Sequence, residues 1–479
     1  MPNFSTVTGL AMMVRQYTRA DEPREGPDHG VPVRGGREHV RLPGQRRGRQ
    51  DLAAAAHAAP SGERLRDADR AVDRPLPTRR AADGSPSGRR RRPLRARGGQ
   101  HARRHAPAQL ARQVLPGVSP LAMSEPPRAA PPAVTVTADA LRRFTRDVFV
   151  RAGMPEGDAA IVADVLVWAD LRGIDTHGVS RIPMYLRLID DGDLNLRPSI
   201  KIRTETAAAV LVDADRAAGP LAMTTATSAA VRLARDAGVG LGLVRATTHT
   251  AALGYYTLTA AHEGMAGLAL AASGPFMAYH GTRAAGVSTN PVSIAVPGGA
   301  RGPVVLDMAT GVVARGKLVQ ARKTNQTIPA GWALDRDGNP TTDPQAALIP
   351  LPLGGPKGSG LSLLIELITS LLVSNPIIAG ALEGAADGHR HRQNGLVLAI
   401  DLRRFGDPDL FRSEVDRVIA ALKALPRAPG VVEVLMPGER GARALAARSR
   451  DGVPLPRAIV DELGGVAARF GLALFPSAS

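Results

Sequence analysis

The feature that most constrains this chain is an alternation of short β-rich runs with helical periods after about Val134. Six runs are rich in β-branched and small apolar residues, a composition that favours strands. They are GLGLVRA (240–246), GLALAAS (267–273), VSIAVPG (292–298), GPVVLDMA (302–309), GLVLAID (395–401) and GVVEVLMPG (430–438). Because helical segments separate most of them, we predict an α/β fold built on a mixed sheet.

Helical periods also precede the first of these runs and predict an N-terminal helical segment. The first helix has Thr137 as its N-cap and ends at Gly153. Two more are expected over about 156–171 and 180–190. Later helices are predicted over 221–237, 254–263 and 411–425, and from Gly360 onward. The run from Gly360 contains Glu366 and is broken by Pro376, so we predict a buried core helix and no membrane span.

Residues 1–122 differ in composition from the rest of the chain. They hold 24 arginines, no lysine and 11 acidic residues, and therefore carry +13 of the formal net charge of +17. The segment is of low complexity and lacks apolar periodicity. A disordered basic tail, a nucleic-acid-binding arm and a stretch absent from the working protein all fit this composition. The lack of lysine and of interleaved aromatics favours the last, with a functional start at Met123 and a catalytic region over 123–479.

Several classes of site and location are excluded or disfavoured by composition. The chain has no cysteine, which excludes disulfides, thiolate metal sites and thiol nucleophiles. We predict no metal site, because the close pair His389 and His391 lies in a charged loop. The opening MPNFSTVTGL has no basic region before its apolar patch, unlike a secretory signal. We expect a cytoplasmic protein without a membrane partner, and a nucleic-acid partner is disfavoured.

Two stretches carry residues suited to chemistry on a small acid. DTHGVSR, residues 175–181, brings His177 and Arg181 close together, and the planar fork of an arginine binds a carboxylate bidentately. His249 follows a predicted strand, where a loop is held by a rigid sheet, and histidine exchanges protons near neutral pH. Taken alone, the first stretch also fits a solvated helix start and His249 also fits a structural histidine.

No standard nucleotide-binding motif is present. GVGLGLV, residues 238–244, lacks the helix that follows a Rossmann glycine motif, and there is no P-loop. In LPLGGPKGSG, residues 351–360, glycines and Lys357 precede an apolar helix, an arrangement that suits a phosphate. A plain glycine-rich loop before a core helix explains the same residues. A dinucleotide would therefore bind through a different architecture.

Seven segments in order resemble one enzyme family. They are RGIDTHGVSRIPMY, TTHTAALGYY, STNPVSIAVP, VLDMATGVVARGK, IPAGWALDRDGNPTTDP, LPLGGPKGSGL and VLMPGE. Together they look like the malate/L-lactate dehydrogenase family, which is unrelated to the Rossmann-type dehydrogenases and uses NAD or NADP. The resemblance runs from Val134 to the C-terminus and does not reach residues 1–122. It implies a non-Rossmann NAD(P)-binding fold of the L-sulfolactate dehydrogenase-like type and a homodimer with sites near the subunit interface.

The resemblance also implies a role for individual residues. His249 would be the general acid/base, with His177 and Arg181 beside it, while Thr176, Arg181 and Tyr185 would face the substrate. The dinucleotide would contact Ser273, Thr289, Asn290, Pro291, Asp307, Met308, Ala309, Lys357, Gly358, Pro437, Gly438 and Glu439. In the expected reaction, Arg181 holds the carboxylate of a small malate-like or L-lactate-like 2-hydroxy or 2-oxo acid, and His249 exchanges a proton as hydride moves.

The sequence departs from the family pattern at two loops. Thr248, Thr250 and Ala251 replace an amide, an aromatic and a glycine, and Ser359 stands where an aromatic is common. These changes predict a roomier pocket or reduced activity, and leave open a member that binds nucleotide without turnover. Other open alternatives are a cyclic imine carboxylate (piperideine- or pyrroline-2-carboxylate) reductase, a ureidoglycolate-type dehydrogenase, and nucleic-acid binding through the basic segment. The sequence does not select between NAD and NADP.

Overall fold

The computed structural model describes residues 133–385 and 392–475, apart from the side chains of Arg315 and Lys323. The Arg-rich segment, Met123 and the pair His389 and His391 lie outside the described residues. The division of the chain at residue 122 therefore stays a prediction.

The described elements alternate between helix and strand along most of the chain. The helices are Ala138–Arg151 (α1), Glu156–Leu171 (α2), Ile182–Asp190 (α3), Gly219–Ala237 (α4), Gly254–His262 (α5), Arg315–Thr324 (α6), Pro356–Glu366 (α7), Ile378–Leu382 (α8), Pro408–Lys423 (α9), Glu439–Asp451 (α10) and Arg457–Phe470 (α11). The strands are Ala133–Val136 (β1), Lys201–Thr206 (β2), Ala209–Asp213 (β3), Val239–Thr247 (β4), Met265–Ser273 (β5), Met277–Ala278 (β6), Ala285–Val287 (β7), Val292–Val296 (β8), Val304–Met308 (β9), Ala333–Leu334 (β10), Pro340–Thr341 (β11), Ile349–Pro350 (β12), Gln393–Asp401 (β13) and Val453–Pro456 (β14).

A seven-stranded sheet forms the centre of the described residues, in the order β2-β3-β4-β13-β5-β8-β9. β3 and β4 run parallel, and every other neighbouring pair in this sheet is antiparallel. The mixed sheet predicted from the sequence is confirmed. Strand β13, which comes late in the chain, lies between β4 and β5 and so joins segments that are distant in sequence.

Helix α4 packs unusually close to the sheet because two glycines of β4 face it. A Cβ atom on Gly240 would lie 1.9 Å from the carbonyl oxygen of Ala230, and one on Gly242 would lie 2.6 Å from that of Ala226. The helix presents alanines at the contact, including the fully buried Ala226 and Ala230. This close packing fixes the end of β4, from which the loop carrying His249 departs.

Helices α1, α2 and α3 form the expected N-terminal helical segment. The side chain of Thr137 accepts a hydrogen bond from the backbone of Ala140, so the predicted N-cap is confirmed. The segment belongs to the main hydrophobic core, which also includes residues of α4, α5 and α11. The predicted third helix differs at its start: two short 3-10 turns, Asp175–His177 and Val179–Arg181, precede α3.

The strand predicted over 430–438 is wrong. No strand is present there, and Val431, Val432 and Leu435 are exposed. The segment meets the edge strand β9 through one backbone hydrogen bond, from the N–H of Val305 to the carbonyl oxygen of Pro437, and side chains bind other backbone groups of the segment. Lys423, for example, donates to the carbonyl oxygen of Val434.

The helix predicted from Gly360 is present, but the prediction that it is buried is wrong. It comprises α7 and a π-helical turn, Leu367–Leu371. Its polar side faces inward: Glu366 is buried and accepts hydrogen bonds from the backbone of Ile377 and Ile378. Its leucines face outward, with Leu364 57% exposed. Among the described helices, none has the length and apolar content that crossing a membrane requires.

Candidate active site

A cavity of about 630 Å³ opens where three neighbouring strands of the sheet begin or end. β13 begins at Gln393, which pairs in register with Thr247 at the end of β4 and with Ser273 at the end of β5. Antiparallel pairing therefore brings the start of β13 to the same sheet edge as the ends of its two neighbours. Seven of the residues assigned by the family resemblance line this cavity: His177, Arg181, His249, Ser273, Thr289, Pro291 and Ala309.

The 3-10 turns at 175–181 orient one part of the cavity wall. Thr176 does not line the cavity, but its hydroxyl lies 3.0 Å from Nδ1 of His177. Its carbonyl oxygen accepts a hydrogen bond from Nε of Arg181. Burial and the neighbouring Arg181 lower the pKa of His177 to about 4. The imidazole of His177 is therefore neutral at physiological pH, while Arg181 carries a positive charge.

His249 is held from behind by Tyr185. The Tyr185 hydroxyl donates to the carbonyl oxygen of His249 at 2.7 Å and lies 3.2 Å from Nδ1 of the same residue. The backbone N–H of Ala251 also approaches that Nδ1, at 3.3 Å. The rings of His177 and His249 stack with centroids 5.7 Å apart. Tyr185 itself is fully buried and is not part of the cavity wall, so it contacts His249 rather than the cavity.

The other lining residues leave space for a flat group. Small side chains predominate there: Ala271, Ala272, Gly274, Ala285, Ala309, Ala314 and Gly316. The hydroxyls of Ser273 and Ser288 lie 2.7 Å apart on this wall. Behind it, the buried Asn290 accepts from the backbone of Ser273 and donates to the carbonyl oxygen of Ser362. A nicotinamide ring fits a wall of this kind, which has small apolar side chains and a few hydroxyls.

Four of the residues assigned to the dinucleotide lie near the edge strand β9, outside the cavity lining. Asp307 accepts a hydrogen bond of 2.8 Å from the backbone of Gly254, at the start of α5. Desolvation by the surrounding protein raises the pKa of Asp307, against the lowering effects of that hydrogen bond and of Arg172. Arg172 donates to the carbonyl oxygen of Gly438, beside Pro437, while Glu439 pairs with Lys423 at 2.8 Å.

The remaining assigned residues take part in packing or face solvent. Met308 packs against a cluster that includes Ile365. Lys357 is exposed and lies off the cavity lining. Gly358 donates its N–H to the carbonyl oxygen of Leu353 and has no room for a Cβ, which would lie 2.4 Å from that oxygen. Within the described part of the chain there is no group of three metal-ligating side chains.

Three residues of the site were missed by sequence reasoning. Gln393 and Arg392 line the cavity, and the Gln393 side chain accepts from the backbone of Thr250, 143 residues earlier. The Asp170 carboxyl group accepts a hydrogen bond from the backbone N–H of Val179, two residues before Arg181. Only tertiary contacts reveal these three residues, since no local sequence pattern links them to the histidines. The one sequence signal concerns Asp170, which is an acidic residue near the end of an apolar helix.

Comparisons with known proteins agree with this architecture. A model of the malate/L-lactate dehydrogenase family matches residues 136–464. A malate dehydrogenase from Pyrococcus horikoshii is 34% identical over 71% of this chain and 96% of its own length. The solved sulfolactate dehydrogenase of Methanocaldococcus jannaschii superposes with a TM-score of 0.63 at 33% identity, covering 71% of this chain and 98% of that one. A delta1-piperideine-2-carboxylate reductase from Pseudomonas syringae gives a TM-score of 0.62 at 29% identity, covering 70% and 99%.

Proposed function

Because the chain belongs to the malate/L-lactate dehydrogenase family, we propose that it transfers hydride between NAD or NADP and a small 2-hydroxy or 2-oxo acid. The family, the fold class and the dehydrogenase activity predicted from the sequence are confirmed by these matches. The observation that supports the individual roles is the convergence of Arg181, His177 and His249 on one cavity.

Arg181 is the proposed carboxylate-binding residue. Its Nε donates a hydrogen bond to the carbonyl oxygen of Thr176, and the residue lines the cavity beside His177. A guanidinium is a planar fork that binds a carboxylate bidentately. His177 stays neutral because its pKa is lowered, so it donates or accepts a hydrogen bond to the substrate without adding charge.

His249 is the proposed acid/base, and Tyr185 and the backbone of Ala251 position its ring. The Tyr185 hydroxyl donates to the carbonyl oxygen of His249, and the Ala251 N–H donates to Nδ1 of the imidazole. The ring accepts the hydroxyl proton of the substrate during oxidation and returns it during reduction. A bound nicotinamide accepts or supplies the hydride.

A second cation favours a dianionic substrate. Arg392 lines the same cavity of about 630 Å³ as Arg181, so two cationic side chains belong to its wall. A malate-like or sulfolactate-like acid has two anionic groups, whereas lactate and a cyclic imine acid have a single carboxylate. We therefore infer that oxaloacetate or a sulfonated analogue is preferred to pyruvate.

A screen of NADH and NADPH oxidation tests the proposal. The acids are oxaloacetate, sulfopyruvate, pyruvate and piperideine-2-carboxylate, and we expect the two dianions to give the highest kcat/KM. His249→Ala should lower kcat by ~10²–10⁴-fold, the usual contribution of general acid–base assistance. His262→Ala, an exposed histidine at the end of α5, is the matched control and should leave the rate unchanged.

Arg392→Gln tests the preference for a dianion separately. Loss of a charged contact should raise KM for oxaloacetate at least ~tenfold while KM for pyruvate changes little. Equal rates in His249→Ala and the unaltered protein would eliminate His249 as the acid/base. A higher kcat/KM for the cyclic imine acid than for oxaloacetate would instead identify an imine reductase.

We further propose that the functional form is a homodimer. The apolar stripe runs at helical spacing along α7, the π-helical turn and the residue that follows it, and each of its residues is between 41% and 63% exposed: Leu361, Leu364, Ile368, Leu371 and Leu372. A helix with its polar face inward and its leucines outward is unfavourable in water and is typical of an association surface. A second copy of the chain is the occupant that the family resemblance implies.

A further inference from the structure

We propose that Asp170 is a positioning residue that holds the turn 175–181 in its binding geometry and so places His177 and Arg181; this inference rests on the proposed function. Asp170 lies near the end of α2 and is 1% exposed. It does not line the cavity. Its effect on the substrate is therefore exerted through the turn.

The carboxyl group of Asp170 caps the helix that carries Arg181. Its Oδ2 accepts a hydrogen bond of 2.8 Å from the backbone N–H of Val179, the first residue of the 3-10 turn that leads into α3. The first N–H groups of a helix have no partner within the helix, so a side-chain acceptor stabilises its start. Here the acceptor comes from another helix, nine residues earlier, which fixes the position of the helix start as well as its conformation.

Gly178 leaves the space that this carboxyl group occupies. A Cβ atom at Gly178 would lie 1.8 Å from Oδ1 of Asp170, far closer than two non-bonded heavy atoms can approach. The carboxyl group and the turn therefore fit each other only because residue 178 has no side chain. His177 directly precedes this glycine, so its position depends on the same contact.

Arg448 holds the same region from outside. It lies on α10 and its Nη1 donates both to the backbone carbonyl of Asp170 and to the side chain of Asp175. These contacts tie the end of α2 to the first residue of the turn. The turn is thus held at its start by Arg448 and at its exit by Asp170.

The protonation state of Asp170 gives this role a distinct signature. Burial is the main cause that raises its pKa, the Val179 N–H and Arg448 lower it, Asp175 raises it, and together they give a pKa of about 8. Asp175 on the turn and Arg448 on α10 are the charged groups that face it. The Asp170 carboxyl group is therefore mostly protonated, and so uncharged, at pH 7. Since the folded-state pKa is raised above 3.8, the stability it contributes is full below pH 3.8 and is lost as pH rises through about 8.

Kinetics of Asp170→Ala and Asp170→Asn in the full-length protein test the inference. Asp170→Ala should raise KM for oxaloacetate at least ~tenfold with a smaller change in kcat, because the chemical groups remain but the turn moves. Asp170→Asn keeps an uncharged acceptor of the same shape and should recover most of the affinity. It should also lack the rise in KM that we expect of the unaltered protein above pH 8, where the Asp170 carboxyl group loses its proton. Asp401→Ala, which removes a buried carboxylate elsewhere, should lower Tm and leave KM unchanged.

Thermal unfolding separates failure of this inference from failure of the proposed function. The Tm of Asp170→Asn minus the Tm of the unaltered protein should increase from pH 5 to pH 8, whether or not any acid is turned over. A Tm difference that does not change with pH, or equal KM values for the Ala and Asn variants, would overturn the positioning role. Absence of turnover in the unaltered protein would count against the proposed function alone.

Discussion

At the scale of single residues, Tyr185 supports the site from behind its wall. The family resemblance implies that it faces the substrate, four residues after Arg181 on one helix. The structure buries it completely and directs its hydroxyl to His249. We therefore propose that Tyr185 holds the acid/base in position, a role that a periodicity argument cannot distinguish from substrate contact.

Tyr185→Phe should lower kcat roughly tenfold, which corresponds to the loss of about one hydrogen bond, ~1.4 kcal/mol. KM should change by less than kcat, because Arg181 and its carboxylate contact remain. Steady-state kinetics from pH 6 to 9 measure both quantities. An unchanged kcat would show that the hydroxyl does not act on the proton transfer, and a large rise in KM alone would restore the direct substrate role.

Ala251 shows what the altered loop does to this arrangement. Its φ of 56° lies in the left-handed region, which an alanine adopts at a cost of roughly 1 kcal/mol relative to glycine. In this conformation the N–H of Ala251 donates to Nδ1 of His249. The alanine at this position is therefore accommodated with local backbone strain.

At the scale of elements, the position of His249 depends on the close packing of α4 on β4. Gly240 and Gly242 allow this packing because their missing side chains leave room for backbone carbonyls of the helix. The sequence predicts both the strand and the helix from their periods. Their separation is set by which face of the strand the glycines occupy, which follows from the pairing of β4 with β3 and β13.

Gly240→Ala should lower the free energy of unfolding by roughly 2–3 kcal/mol, because its Cβ would overlap the Ala230 carbonyl and force the helix away. Urea denaturation at neutral pH measures this change. Gly406→Ala is the matched control: no heavy atom lies within 4 Å of its Cβ position, and stability should change by less than about 0.5 kcal/mol. Equal stabilities of the two variants would contradict the packing argument.

The segment at 430–438 is a case in which local composition predicts a strand that the fold does not form. It contains Val431, Val432 and Val434, and this β-branched composition is why the sequence predicts a strand. A strand also needs a continuous partner edge, and β9 offers this segment only the hydrogen bond from Val305 to Pro437. Ion pairs of Glu433 with Arg443 and Lys423 hold the segment in place instead.

At the scale of the whole molecule, the exposure of the apolar stripe to solvent is the observation that supports the proposed dimer. Leu364→Glu combined with Leu371→Glu should convert the proposed dimer into a monomer, because two buried charges per subunit would oppose association. Light scattering coupled to gel filtration measures the mass. Ile202→Glu, on the edge strand β2, is a control with a similarly exposed apolar residue (52%) and should leave the mass unchanged. A monomeric unaltered protein would contradict the proposal.

The sequence by itself determined the family, the mixed α/β class and the local motifs around His177, Arg181 and His249. These depend on patterns within a few residues, such as helical period, strand composition and the order of short motifs, which need no knowledge of distant contacts. Helix α2, for example, spans Glu156–Leu171, the range expected from its apolar period. The cytoplasmic location and the status of residues 1–122 stay predictions.

Only the tertiary structure decided which distant residues share the cavity. Gln393 and Arg392 reach it because β13 inserts between β4 and β5, a register that depends on the packing of the entire sheet. Asp170 reaches the turn because Gly178 leaves room for its carboxyl group. Lys357, assigned by the family resemblance, lies off the cavity wall. Contacts between residues far apart in sequence follow from the geometry of the fold, which local composition does not encode.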